Sequence, residues 1–215
     1  MASSIIDNGD RAVSGFKRKE VFGEIFSKNK WGGSESRSGP GSTISQTELL
    51  RQRLPVALSR LRIRSIVDAP CGDMNWMKHL DYSFESFIGI DIVHDIIDSL
   101  RQQGFPRNYN FQYGDIVTDI LPRADAIFCR DCLVHLPFNQ IEEASRLWRL
   151  AGFRYAFVTT FPERTKNIDC HVGEWRPLNM QAAPFNWPEP IFTIPERSPN
   201  PADKYADKSI GVWAL

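Results

Sequence analysis

An acidic residue stands at the end of each of four short apolar runs. Asp68 closes Ser65-Ile66-Val67-Asp68 and Asp91 closes Phe87-Ile88-Gly89-Ile90-Asp91. Asp115 closes Asn110-Phe111-Gln112-Tyr113-Gly114-Asp115, and Asp131 comes two positions after Ala124-Asp125-Ala126-Ile127-Phe128-Cys129. One acid after one strand is ordinary. Four in step point to a ligand rich in hydroxyl and amino groups, or to a cation. Asp91, followed by Ile92, lies 23 positions after Asp68 (91 − 68). In nucleoside-binding α/β folds, an acid about 20 residues past the first loop accepts hydrogen bonds from ribose hydroxyls, because its two oxygens meet two adjacent donors. Asp115 stands where a third-strand acid can take the exocyclic amino group of adenine. The first loop, Asp68-Ala69-Pro70-Cys71-Gly72-Asp73, lacks the glycines that bring a pyrophosphate against the backbone. Pro70 and Asn75 stand in their places, and only Gly72 remains. Asp68 and Asp73 would repel a pyrophosphate. The loop suits a ligand carrying a positive amino or sulfonium group.

For proton transfer the best-placed pair is Asp131 and His135, four positions apart, which share a face if a helical turn follows the fourth strand. An Asp beside a His orients the ring and favours its protonated form. Asp131 could equally cap that turn and His135 pack within it. His171 is a second candidate. Cys129-Arg130-Asp131-Cys132 is formally a C-x-x-C, with Cys170 and His171 further on. No metal is expected, because Cys129 should end a buried strand and the paired ligand turns of a structural zinc site are missing. Trp175, Arg176 and Asn179, with Phe185, Asn186 and Trp187, read as the wall of a sugar or small-molecule pocket, or as a cover over the sheet edge. Trp31 belongs to a Gly/Ser-rich stretch, residues 28–42, that is either a flexible tail or an ordered loop approaching a ligand.

These residues need a frame. Five strand-like runs, 65–68, 87–91, 110–115, 124–129 and 155–161, alternate with helical segments at 74–80, 96–103 and 138–150. In the last, Ile141, Ala144, Leu147 and Trp148 share a face. The alternation predicts βαβ units and a parallel sheet, with ligands at the carboxyl ends of its strands. A helix is predicted over 48–61, capped by Thr47, with a kink or restart at Pro55. Residues 162–215 hold eight of the fourteen prolines, which argues against long helices there. Two more strands are expected at 191–194 and 209–215, and an insertion occupies about 163–190. Asp207 and Lys208 open the last strand and are expected to face solvent. Trp76, Trp148 and Trp213 are expected in the core or at its margin. Residues 1–47 are polar and irregular, and are expected to form an extension or lid beside a domain spanning 48–215.

Val67-Asp68-Ala69-Pro70-Cys71-Gly72-Asp73, Ile88-Gly89-Ile90-Asp91, Tyr113-Gly114-Asp115-Ile116 and the segment 124–131 resemble the S-adenosylmethionine-dependent methyltransferases of the Rossmann-like class. The resemblance covers residues 62–161. It departs from the family's D/E-x-G-x-G at Pro70, which stands for the first glycine. The flanks look like a bacterial-type subgroup. The resemblance implies a seven-stranded α/β sandwich with an antiparallel last strand. It also implies that Asp68, Ala69 and Gly72 border the methionine part, Asp91 the ribose, and Asp115 and Ile116 the adenine, with Arg130 beside the cofactor. The implied activity is methyl transfer to a hydroxyl or amine of a small molecule or glycan. The alternatives are an RNA or protein methyltransferase, and a non-catalytic S-adenosylmethionine-binding partner subunit.

Composition sets outer bounds. Among 215 residues, 26 Lys and Arg balance 26 Asp and Glu, which argues against a dominant electrostatic grip on nucleic acid. Hydrophobic residues at 42% suit a globular domain. No apolar run is long enough to span a membrane. The four cysteines are too few for a disulfide framework, and the first ten residues lack a signal-peptide layout, so a reducing cytoplasm is expected.

Overall fold

The computed structural model describes residues 8–197 and 202–215. Among them, seven strands form one sheet: β1 (Ser65–Asp68), β2 (Ser86–Asp91), β3 (Tyr109–Tyr113), β4 (Ala126–Cys129), β5 (Tyr155–Thr160), β6 (Phe192–Pro195) and β7 (Ser209–Ala214). Their order is β3-β2-β1-β4-β5-β7-β6. The first five run parallel, β7 is antiparallel to β5, and β6 is antiparallel to β7. This is the Rossmann-like sheet with an antiparallel last strand expected from the sequence.

The strands bury both faces because successive side chains point to opposite sides. Ile66, Phe128 and Phe157 join a core on one face with Leu50, Leu54 and Leu58 of α2 (Glu48–Arg60) and Ile96, Ile97 and Leu100 of α3 (His94–Arg101). Their neighbours Val67, Ile127, Cys129, Ala156 and Val158 join a core on the other face with Ile141, Ala144 and Trp148 of α4 (Phe138–Ala151). Trp148 and Trp213 are buried in that second core. Each such side chain contributes roughly 1.5–3 kcal/mol on transfer from water.

Several local expectations are corrected. Part of the segment read as polar and irregular, from residue 8 onward, forms α1 (Asn8–Ser27), and residues 1–7 lie outside the described residues. Phe22, Ile25 and Phe26 stand at helical spacing on it. Phe22 and Phe26 pack against the core, so tertiary burial holds a helix that composition concealed. Thr47 does not cap α2 with its side chain, and its hydroxyl donates instead to the Thr43 carbonyl at 2.8 Å. Pro55 lies inside a continuous α2, whose buried face of Leu50, Leu54, Ala57 and Leu58 holds the helix through it. Of the helix expected over 74–80, only a 3-10 turn at Met77–His79 forms.

Between β5 and β6 the chain has no helix or strand. Polar side chains order it. The Asn167 amide donates to the carbonyls of Asn179 and Ala183 at 2.9 Å each. No helix among the described residues is long and apolar enough to cross a membrane.

Candidate active site

The chain leaves β1 for β2 and β3 on one side, then returns to β4 on the other. The crevice at the carboxyl ends, where the order reverses, is the binding place of open α/β sheets. A cavity of about 870 Å³, mouth included, opens there. Asp68, Gly72, Asp91, Ile92, Arg130, Asp131, His135 and Trp31 all line it. Side chains from residues 31 to 135 thus meet at one hollow, and Asp68 and Asp91 among them stand at the strand ends where the strand pattern expects a ligand.

Asp68 is the most demanding of them. Its side chain is buried, and among the described residues no group donates a hydrogen bond to its carboxylate. Burial, and then the charge of Asp91, push its pKa well above the usual carboxylate range, against the opposing pull of Arg130. A buried carboxylate without donors is costly, and it is relieved by taking up a proton or by meeting a cation. Asp91 is better supplied. Its Oδ2 accepts from the Gly72 N–H and its Oδ1 from the Val93 N–H, each at 3.0 Å. Burial still raises its pKa to about 6, against those hydrogen bonds. Both oxygens keep lone pairs for further donors.

The first loop is shaped by a strap from the N-terminal segment. Ser36 Oγ donates to Asp73 at 2.8 Å, and Ser38 Oγ accepts from the Asp73 N–H at 3.1 Å. Gly72 has φ 55, and a Cβ there would stand 2.4 Å from Ser38 Oγ, so only glycine fits beneath the strap. Asp73 is thus occupied by the strap. The strap also brings Trp31 face to face with His135, ring centroids 5.0 Å apart. The Gly/Ser-rich stretch is the ordered alternative of the two read from its sequence.

Asp115 and Ile116 line a smaller recess of about 320 Å³ that shares Phe22, Asp91 and Ile92 with the main cavity. The Asp115 carboxylate is already engaged. Arg18 of α1 donates to Oδ2 from Nε at 2.9 Å and Nη2 at 2.7 Å, and the Val117 N–H donates to Oδ1 at 2.9 Å. Ala69 lines neither hollow. It is fully buried, and its N–H ties the loop to the Phe128 carbonyl at 2.9 Å.

Beyond β4 the expected Asp–His pair is not made. Asp131 has φ 52, its N–H donates to Thr159 Oγ1, and its carboxylate turns to Lys208, whose Nζ lies 2.6 Å from Oδ2. Burial works to raise the Asp131 carboxyl, but Lys208 and Arg130 together outweigh it and hold it well below the usual range. Arg130 is spent likewise, on Glu196 at 2.6 Å and on the Gly41 carbonyl at 2.8 Å. Lys208, expected to face solvent, is 7% exposed because Asp131 and Glu196 both call on its charge. His135 is oriented by a backbone group instead. Its Nδ1 lies 2.9 Å from the Glu174 carbonyl, which fixes the proton there and leaves Nε2 with the lone pair. Burial lowers its pKa, against that hydrogen bond and the Asp131 charge, which favours the neutral ring.

A second hollow of about 1050 Å³, mouth included, adjoins the first across Trp31, Ser38, Asp131 and His135. Phe161, Trp175 and Tyr205 line it, with Arg197 and Lys208. Trp175 is where a pocket wall was expected. Arg176 and Asn179 are not. Arg176 is buried with its guanidinium on the carbonyls of Leu133, Leu136 and Ile168, and Asn179 donates to those of Pro162 and Arg164. They brace the turn that carries His135 and the insertion behind it. His171 is exposed and lines neither hollow. Among the described residues, no three His, Cys, Asp or Glu side chains gather to hold a metal ion.

Sequence reasoning missed Phe22, Phe26, Lys208 and Glu196. The spacing of the two phenylalanines was a usable signal. The buried Lys208 and Glu196 gave none, because their partners are distant in sequence.

No protein-family model matches the chain, and no curated protein matches it. Solved structures resemble its fold. The methyltransferase domain of bacterial CtHen1 is 18% identical, with a TM-score of 0.47 over 54% of this chain and 66% of that one. Magnesium protoporphyrin IX methyltransferase (ChlM) from Synechocystis PCC 6803 with bound SAH is 18% identical, with a TM-score of 0.49 over 69% of this chain and 74% of that one. A DhpI–SAH complex is 17% identical, with a TM-score of 0.49 over 76% of this chain and 81% of that one. The chain therefore spans just under two thirds of the CtHen1 domain's length.

Proposed function

We propose that this chain is an S-adenosylmethionine-dependent methyltransferase acting on a hydroxyl or amine of a small molecule or glycan. One observation carries the reading: the donorless, buried carboxylate of Asp68 and the β2-terminal carboxylate of Asp91 border one cavity at the sheet's switch point. A ligand with a cationic end and a vicinal diol meets both demands, whereas a dinucleotide could offer Asp91 its ribose hydroxyls but would bring a pyrophosphate's negative charge toward Asp68. Asp68 would take the amino group, Asp91 the ribose hydroxyls, and Ile92, Val93 and Phe22 the flat base.

When bound, S-adenosylmethionine supplies a methyl carbon on a sulfonium, and its transfer breaks the carbon–sulfur bond with the electron pair staying on sulfur. The protein's tasks are to align the acceptor and take its proton. His135 suits the second task. Burial favours its neutral form, its Nδ1 lies against the Glu174 carbonyl, and it lines both hollows. Asp131 is too weak a base, because its carboxylate is held ionised by two cations. Its part is to hold Lys208. The presence of a suitable base favours an enzyme over a non-catalytic binding subunit.

Calorimetric titration with S-adenosylhomocysteine, with NAD as control, tests the cofactor. Micromolar binding of the first and none of the second is expected. Failure of the first to bind overturns the reading.

A further inference from the structure

The second hollow has walls and charges of a definite kind. Trp31 forms one side. Phe161, Trp175 and Tyr205 form another, edge to face, with centroids between 4.9 and 6.1 Å apart. Trp175 is 43% exposed, so part of its ring is left uncovered. Flat, apolar and partly open walls suit a ring-shaped ligand.

The charged groups around that hollow cancel in pairs. Lys208 is matched by Asp131 at 2.6 Å, and Arg197 by Asp203 at 2.5 Å. A carboxylate or phosphate entering it finds no unmatched cation. An amine, which enters as an ammonium ion, finds no unmatched carboxylate and meets the Lys208 ammonium. A neutral hydroxyl needs only one donor and one acceptor. Lys208 has three N–H bonds, and Asp131 and Glu196 face two of them. His135 presents an unprotonated Nε2.

We infer that this second hollow binds the methyl acceptor, and that the acceptor is an uncharged, hydroxyl-bearing ring packed against Trp175 and Trp31, with its reacting oxygen between His135 and Lys208. The inference rests on the methyltransferase reading. The oxygen forms its bond to the methyl carbon while the O–H proton passes to His135 Nε2. Positive charge leaves sulfur as it appears on the imidazole, and the proton then goes to solvent. The same ring chemistry belongs to phenols and to sugars. Lys208 stabilises the developing oxyanion in either case.

The test uses the full chain, first without cofactor. Tryptophan fluorescence is titrated with a panel of simple phenols, a panel of methyl glycosides, benzylamine and benzoate. Saturable quenching by members of one of the first two panels is expected, and which panel responds identifies the source of the ring. Trp175→Ala, a change at an exposed position, should weaken that binding about fivefold and leave S-adenosylhomocysteine affinity within twofold. With labelled methyl donor, the ring that quenches should become O-methylated, and His135→Gln should bind it but transfer at least a hundredfold more slowly. Three outcomes overturn the inference: benzylamine or benzoate binding better than every neutral ring, no ring binding while S-adenosylhomocysteine still binds, or Trp175→Ala leaving ring affinity unchanged. Loss of S-adenosylhomocysteine binding in the unaltered protein overturns the methyltransferase reading instead.

Discussion

Lys208 Nζ lies 2.6 Å from Asp131 Oδ2 across 77 positions of sequence, joining the start of β7 to the loop after β4. Asp131 thereby becomes a fixed anion and a poor proton acceptor, which is why the proposed base is His135. Lys208 is held in the wall of the second hollow, beside Asp131, which both hollows share. Arg130 and Glu196 complete a four-membered charge cluster around it.

The Asp131→Asn protein is expected to be less stable at pH 7 by about 1.5–3 kcal/mol, because a cation loses its partner in a largely buried setting. The sign of the pH dependence follows from the depressed Asp131 pKa. A carboxyl with a lower pKa in the folded state contributes stability above its unfolded value near 4, and that contribution is lost as pH falls below it. Urea unfolding of the two proteins at pH 7 and pH 3 should therefore show a gap that narrows with acid. A gap that is absent at pH 7, or that widens with acid, contradicts the pairing.

His135 should act through its neutral ring. His135→Gln is expected to lower kcat by about 10²–10⁴ while S-adenosylhomocysteine affinity stays within twofold. The pH profile of kcat should rise with pH and reach half its plateau below 6.5, because burial lowers the His135 pKa and only the neutral ring accepts a proton. A midpoint above 6.5, or a kcat that survives the substitution, removes His135 from the role.

Asp91 gives a pH effect of its own. On the proposed reading its carboxylate form accepts ribose hydroxyls, and its pKa is raised to about 6 by burial. S-adenosylhomocysteine affinity should thus fall as pH drops from 7.5 to 5. Asp91→Ala is expected to lose roughly ten- to hundredfold in affinity at pH 7.5, the scale of a hydrogen bond to a charged group, and to flatten the pH dependence. Calorimetry at both pH values measures this, and unchanged affinity refutes the ribose assignment.

The strand-end acids were legible because they obey a local rule: an apolar run, then a carboxylate. Asp68 and Asp91 reach the main cavity on that rule, Asp115 reaches only the adjoining recess, and Gly72 and Arg130 were placed there by the family resemblance. What escaped depends on partners far along the chain. Lys208 looked exposed because a lysine before a strand usually is, and only its pairing with Asp131 and Glu196 buries it. Arg176 and Asn179 looked like ligand-binding side chains because their types are common in pockets. Their actual partners are backbone carbonyls, to which a sequence gives no address. α1 was hidden by its polar composition, although Phe22 and Phe26 carried the four-residue spacing of a helix.

α1 is tied to the wall of the smaller recess by a buried ion pair, Arg18 with Asp115. Removing Arg18 leaves the Asp115 carboxylate buried beside a single backbone donor, an arrangement that costs about 3–5 kcal/mol when nothing relaxes. The structure can relax by releasing the helix rather than unfolding the sheet, since α1 contributes Phe22 and Phe26 to the cores while the strands pack independently of it. Arg18→Met should therefore raise hydrogen exchange across residues 17–27 and leave β1, β4 and β5 protected. S-adenosylhomocysteine affinity should fall about tenfold with the loss of the cover made by Phe22 and Phe26. Replacing both partners, Arg18→Met with Asp115→Leu, removes the stranded charge and should restore protection of the helix, because two apolar groups leave nothing unsatisfied. Affinity should recover only in part if Asp115 also meets the cofactor. Equal exchange in all three proteins would show that the ion pair does not hold α1.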